Sequence, residues 1–269
     1  MKRWVNRLKR YFRIYHLFVK FSLIDLFIFR INAMVMGLAP IIWLATMIVF
    51  LLTIFSRVNN LGGWTFWEIV FLTGVQEVVF LLSWSTFIQN LRTFVDDIRW
   101  GRFDYQLLKP LSPRFTASFK LIDFTSWGSL ANSLFVFVFA FLKITNRIVF
   151  PRLLAFFAFL LIGYWIAYFL YFIFASLALF FIDSRAFMDL VFDTTDFSRY
   201  PAEIYAPSVR IFLTFFLPIL FFAYFPTAFL LGKISWFYLF LGAAILLILY
   251  FVSDLVWQRG LRHYQSASS

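Results

Sequence analysis

A chain of 269 residues in which 63% are hydrophobic, 24% aromatic and only 14% charged is no ordinary soluble domain, which is nearer half apolar and a quarter charged. The composition predicts an all-α, polytopic membrane protein forming a single transmembrane domain over residues 1–269. The formal net charge of +11 gathers at the ends of apolar runs, so it reads as positive-inside signal and contact with anionic lipid, and nucleic acid is not an expected partner. With no cysteine, disulfides, zinc–thiolate sites and thiol catalysis are excluded, and His16 and His263 have no metal-ligating neighbours in sequence.

The first twenty residues, MKRWVNRLKRYFRIYHLFVK, carry seven Lys or Arg and no acid. They lack the apolar core and small-residue cleavage site of a signal peptide. Trp4, Leu8, Tyr11, Tyr15 and Phe18 recur three or four residues apart, with Lys9, Arg13, His16 and Lys20 on another side. That pattern predicts an amphipathic helix over 1–30 lying in the membrane interface, against the plainer alternative of a basic tail.

Six apolar runs then approach the roughly 20 residues needed to cross a bilayer: 33–56, 67–91, 117–142, 152–182, 209–232 and 236–257. Both termini are basic, which favours cytoplasmic ends and an even number of crossings. The turn-rich loop SRVNNLGGWT (56–65) then falls outside and residues 92–116 fall inside.

Within that inner segment, DDIRWGRFDYQLLKPLSPRF (96–115) interrupts an almost unbroken apolar sequence. Asp96 and Asp97 suit the start of a short helix, Gly101 allows a tight bend, and Pro110 and Pro113 enforce an extended exit. Phe103, Leu107, Leu108 and Leu111 supply an apolar ridge. A short rigid element of this kind suits docking to a soluble partner; the alternative is an ordinary cytoplasmic loop anchored at the interface by Trp100 and Tyr105.

The stretch 183–208 holds five acids and two arginines, a poor inside signal. Arg185, Asp189, Asp193 and Asp196 form one stripe on a helix. Two structures fit: a surface amphipathic helix, or a polar span whose stripe faces the bundle interior or a water-filled cavity, followed by a proline-broken re-entrant element. Together with Glu77, these residues are candidates for a polar translocation path or for interhelix contacts, Glu77 pairing with a donor such as Arg or Trp.

There is no nucleotide-binding motif. The one Gly-Lys pair, Gly232-Lys233, has Thr227 where the first glycine of a phosphate-binding loop belongs and Ile234 where Ser or Thr belongs. Glu68 and Glu77, nine residues apart, lie on opposite sides of a helix and form no carboxylate pair. The chain is therefore expected not to be an enzyme and to draw its energy from a partner.

Three stretches carry a family likeness: IRWGRFDYQLLKPLSP, the aromatic, proline-punctuated FSRYPAEIYAPSVRIFLTFFLPILFFAYFPTAFLLGK (197–233), and WQRGLRHYQSAS (257–268). In order and spacing they resemble permease subunits of the ABC-2 type, and the likeness extends over nearly the whole chain. It implies a permease subunit that pairs with a second copy or paralogue, the pair binding two separate ATPase subunits, which would hold the ATP and Mg; this chain would bind no cofactor. It further implies six transmembrane helices, an N-terminal connecting helix and a cytoplasmic coupling helix within 96–112. Ile98, Arg99, Trp100, Gly101, Arg102, Phe103, Asp104, Leu107, Leu108, Lys109 and Pro110 would meet the ATPase. The fifth span would be 185–200, and 201–230 an outer re-entrant hairpin before the last helix. The expected function is ATP-driven export of an amphiphilic or hydrophobic substrate, cations included, across the cytoplasmic membrane. The alternatives are an ion-gradient-driven transporter, for which no internal repeat is visible, and a non-transporting scaffold.

Overall fold

A computed structural model describes residues 2–28, 30–144, 149–181 and 184–264, with side chains described from Lys9 onward except those of Asp25, residues 30–41 and Leu44. Among the described residues all regular structure is helical apart from one bridge between Leu61 and Trp64. The N-terminal helix α1 (Lys2–Ile28) precedes α2 (Arg30–Phe55) and a long α3 (Phe66–Arg99) that contains a wide π turn at Trp84–Ile88. Two short helices follow, α4 (Phe103–Leu107) and α5 (Pro113–Phe119), then α6 (Trp127–Ile144) and α7 (Phe150–Ser176). Next come α8 (Arg185–Thr195) with a closing 3-10 turn to Arg199, α9 (Pro207–Phe216), α10 (Tyr224–Leu230) and the terminal α11 (Phe237–His263).

Among the described residues four helical stretches are long and apolar enough to cross a membrane: Phe66–Arg99, Pro113–Ile144, Phe150–Leu179 and Phe237–His263. This is fewer than the six apolar runs. The run 33–56 falls in α2, described with side chains only in part. The run 209–232 is not one helix. It breaks at Leu217–Pro218, because proline has no N–H to donate and its ring clashes with the preceding turn.

Local chemistry sets the helix ends. The backbone N–H of Thr65 donates to Glu68 Oε2 (2.9 Å), which starts α3. At the other end Gly101, with φ of 67°, receives the chain as it leaves α3. The Arg102 N–H donates to the Asp97 carbonyl (2.7 Å) and the Gly101 N–H to the Ile98 carbonyl (3.1 Å). That is a Schellman stop, which only a residue at ease in the left-handed region can make. The π turn in α3 has a tertiary reason. The Asp123 N–H donates to the Ser85 carbonyl (2.9 Å), and Trp84 Nε1 donates to Asp123 Oδ2 (3.1 Å). These bonds tie α3 to the irregular step between α5 and α6.

Aromatic side chains fill the interior. Phe71 on α3 meets Phe137 and Phe141 on α6 and Phe156 on α7, with centroids 5.1, 5.8 and 6.0 Å away. Gly163 on α7 lets the backbone at Phe221 approach so closely that a Cβ there would collide with the Phe221 carbonyl oxygen. The glycine is a packing requirement, set by the broken segment after α9.

Candidate functional site

The segment 96–112 folds back under the end of α3. After the Gly101 reversal, Phe103 is 0% exposed, inserted between Phe94 (5.1 Å), Tyr264 (5.3 Å) and Trp257 (6.4 Å). Asp97 is buried beneath it. It accepts from Gln106 Nε2 (2.7 Å) and pairs with Arg102 Nε (2.9 Å). The Tyr264 hydroxyl donates to Asp104 Oδ1 (3.0 Å), and burial, then that carboxylate, push the Tyr264 hydroxyl up to about 12. These bonds fasten α4 to α3 and to the end of α11.

Several side chains of the segment remain outward. Trp100 is 66% exposed, Tyr105 71% and Leu108 82%, with Leu107, Arg99, Arg102, Lys109 and Pro110 also exposed. One expectation changes. Ile98 and Phe103 are buried, so their side chains are not free to meet a partner, whereas Trp100 and Tyr105 are exposed, as are Leu107 and Leu108. The reason is the 67° φ of Gly101: it turns α4 by an amount that no periodicity within α3 encodes. Gly101 and Asp104 are half-buried.

Helix α1 braces this patch. An Arg10 guanidinium nitrogen donates to the Pro110 carbonyl (3.0 Å), and the Ser112 N–H donates to the Tyr11 hydroxyl (3.1 Å). Phe115 meets Tyr11 edge-on (5.1 Å) and stacks with Phe18 (6.4 Å). Tyr11, Tyr15 and Phe18 are half-buried, with Tyr11 and Phe18 turned toward α5, while Phe12, 76% exposed, and Phe21 face outward. The side chains of Trp4 and Leu8 lie outside those described.

The stripe 185–196 has partners along α3. Arg185 Nε pairs with Asp96 (2.6 Å), and Asp189 with Arg92 (2.6 Å). Phe192 packs on Trp84 and Phe80 (5.9 and 5.6 Å). Arg199 pairs with Glu77 (3.0 Å) and Asp196 (2.9 Å) and lies 4.4 Å from the Trp43 ring. Glu203 accepts from Trp64 Nε1 (3.1 Å). As the numbers rise from 185 to 203, their partners fall from 96 to 64, so this segment runs antiparallel to α3 along its length. Asp193 is exposed and makes no ion pair among the described residues.

Glu77 therefore has the arginine partner expected of it, and both groups are largely shielded, at 15% and 14% exposure. Arg92, Arg199, Glu203 and Lys233 have roles that sequence reasoning did not assign. Lys233 pairs with Glu68 (3.3 Å) and donates to the Gly63 carbonyl (2.8 Å). The available signal was charge conservation within the bundle: each acid in an apolar span needs a cation nearby. Beside Arg199 a cavity of about 280 Å³ is walled by Trp43, Met47, Phe50, Thr73 and Tyr200.

A family described as "ABC-2 family transporter protein" matches residues 41–268. No match is found to a curated protein or to a solved structure. With most of its length matched, and with long apolar helices in a bundle, the chain belongs to the ABC-2 family of transporter proteins and is a membrane permease of the ABC-2 type.

Proposed function

We propose that this chain is the permease half of an ATP-driven exporter, pairing with a second copy or a paralogue, the pair docking two ATPase subunits, one of them on this chain's patch at 99–110. Membrane proteins of this family work with ATPase partners. The observation that carries the proposal is the build of that patch. Trp100, Tyr105, Leu107 and Leu108 point outward from an element locked to α3 and α11 by Phe103, Asp97 and Tyr264. A push on the patch would therefore move two long helices as levers. The chain has no phosphate-binding loop, so nucleotide and Mg belong on the partner and the chain itself is not an enzyme.

The same reading gives six crossings. The basic end, with the patch and the end of α11, is cytoplasmic by the positive-inside rule, so both termini lie on the cytoplasmic side of the cytoplasmic membrane. The antiparallel pairing of 185–203 with α3 supports a fifth crossing there. Residues 201–230 form the re-entrant hairpin. Support comes from both its ends meeting the loop at 57–65, through Glu203 to Trp64 and Lys233 to Gly63. Its middle, Phe221, meets Gly163, while Gly232 after it meets Arg152. About 16 Å of helix rise separates those two α7 positions, half the thickness of a bilayer core. The aromatic interior suits amphiphilic or hydrophobic cargo, cations among them.

The test is co-purification of the tagged chain with its ATPase, followed by ATP-driven dye export from cells. Trp100→Ala with Leu108→Ala should abolish both while leaving the chain folded, since neither side chain is buried. Intact ATPase binding by this double variant would move the docking site elsewhere.

A further inference from the structure

A shallow, open groove of about 820 Å³ runs along α1, with Phe115 of α5 at its edge, at the basic end of the bundle. Its lining combines Lys9, Arg13 and His16 with Tyr15, Phe12 and Phe115. Lys9 and Arg13 are four residues apart on one helix face, both exposed, and no acid occurs in residues 1–20 to neutralise them. The nearby Arg10 is held by the Pro110 carbonyl, so the two cations in the groove stand apart from the brace. An aromatic floor with cations at its rim has the chemistry of a lipid: a phosphate for the cations and acyl carbons for the rings.

We propose that this groove holds an anionic phospholipid, its headgroup phosphate between Lys9 and Arg13 and its upper chains against Phe12 and Phe115. A free phosphate would have no use for the apolar wall, and Phe12, 76% exposed, is followed near the same helix side by Phe27, 75% exposed. That face sets the groove at the level where headgroup meets hydrocarbon. Phe115, the groove's far wall, also packs on Tyr11, whose hydroxyl accepts from Ser112 next to the docking patch. The lipid thereby steadies the brace between α1 and the segment 110–115.

The experiment is native mass spectrometry of the full-length chain released from bilayers of mixed phosphatidylglycerol and phosphatidylcholine. The wild type should retain phosphatidylglycerol selectively. Lys9→Gln with Arg13→Gln should lower that retention about thirtyfold, the effect of two surface cations. Lys9→Arg with Arg13→Lys should keep it, and Arg57→Gln, an exposed cation at the opposite end of the bundle, should leave it unchanged. Undiminished retention by the neutralised pair overturns the proposal. So does equal retention of both lipids by the wild type, or displacement of phosphatidylglycerol by inorganic phosphate alone.

Discussion

Phe103 shows how one side chain turns a loop into a rigid part. It is an aromatic in a polar segment, fully enclosed by Phe94, Trp257 and Tyr264. Replacing it with Ala removes that packing and leaves a void, a change that costs about 3–5 kcal/mol in comparable cores. Phe103→Ala should lower the thermal unfolding temperature of the purified chain, and Phe103→Leu should lower it less. Glu77 and Arg199 behave differently because they are charges at low exposure. Removing one strands the other, at about 3–5 kcal/mol, while removing both removes the problem. Arg199→Gln alone should therefore destabilise more than Arg199→Gln combined with Glu77→Gln. A thermal-shift cycle measures this; additive losses would show that the pair is not coupled.

At the scale of elements, the antiparallel run of 185–203 along α3 is held by two partly exposed ion pairs at one end and a shielded one further along. The exposed pairs contribute little energy each, about 0–1 kcal/mol, so their role is register. Because the chain has no cysteine, the pairing is directly testable. Arg92→Cys with Asp189→Cys should be joined by a short bifunctional thiol reagent in native membranes, and Arg92→Cys with Glu203→Cys should not. The stripe at 185–196 was visible in the sequence, as was its choice between surface helix and polar span. Which of the two holds was not visible, since a helix wheel shows which residues share a face but not what that face meets. The same limit applied to Phe103, whose direction depends on the Gly101 reversal.

For the molecule as a whole, the cationic end and the loop at 57–65 lie at opposite ends of α3. Single cysteines at Leu108 and at Asn59 should therefore label from opposite sides of the membrane with an impermeant maleimide, Leu108 from the cytoplasm. Labelling of both from one side would overturn the orientation. The broken segment 207–230 adds a second whole-molecule constraint, since Gly163 admits the Phe221 backbone at the level its turn occupies. Gly163→Leu should reduce the yield of folded chain, and Gly242→Ala, which faces only the Phe221 and Ile162 side chains, should be milder.

Composition alone determined that this chain lives in a membrane, because 63% hydrophobic residues leave too little polar surface for water to solvate. The segment 96–115 fitted either a docking element or an ordinary cytoplasmic loop, and it was the family likeness that favoured docking to a partner supplying the energy. Tertiary structure decided which side chains face out of that element, that the acidic stripe pairs with α3, and that α1 turns its half-buried aromatics inward. Those outcomes rest on contacts between residues some 90 to 160 positions apart, such as Asp96 with Arg185 and Asp104 with Tyr264. Local periodicity carries no information about such contacts, because they exist only once the helices have packed.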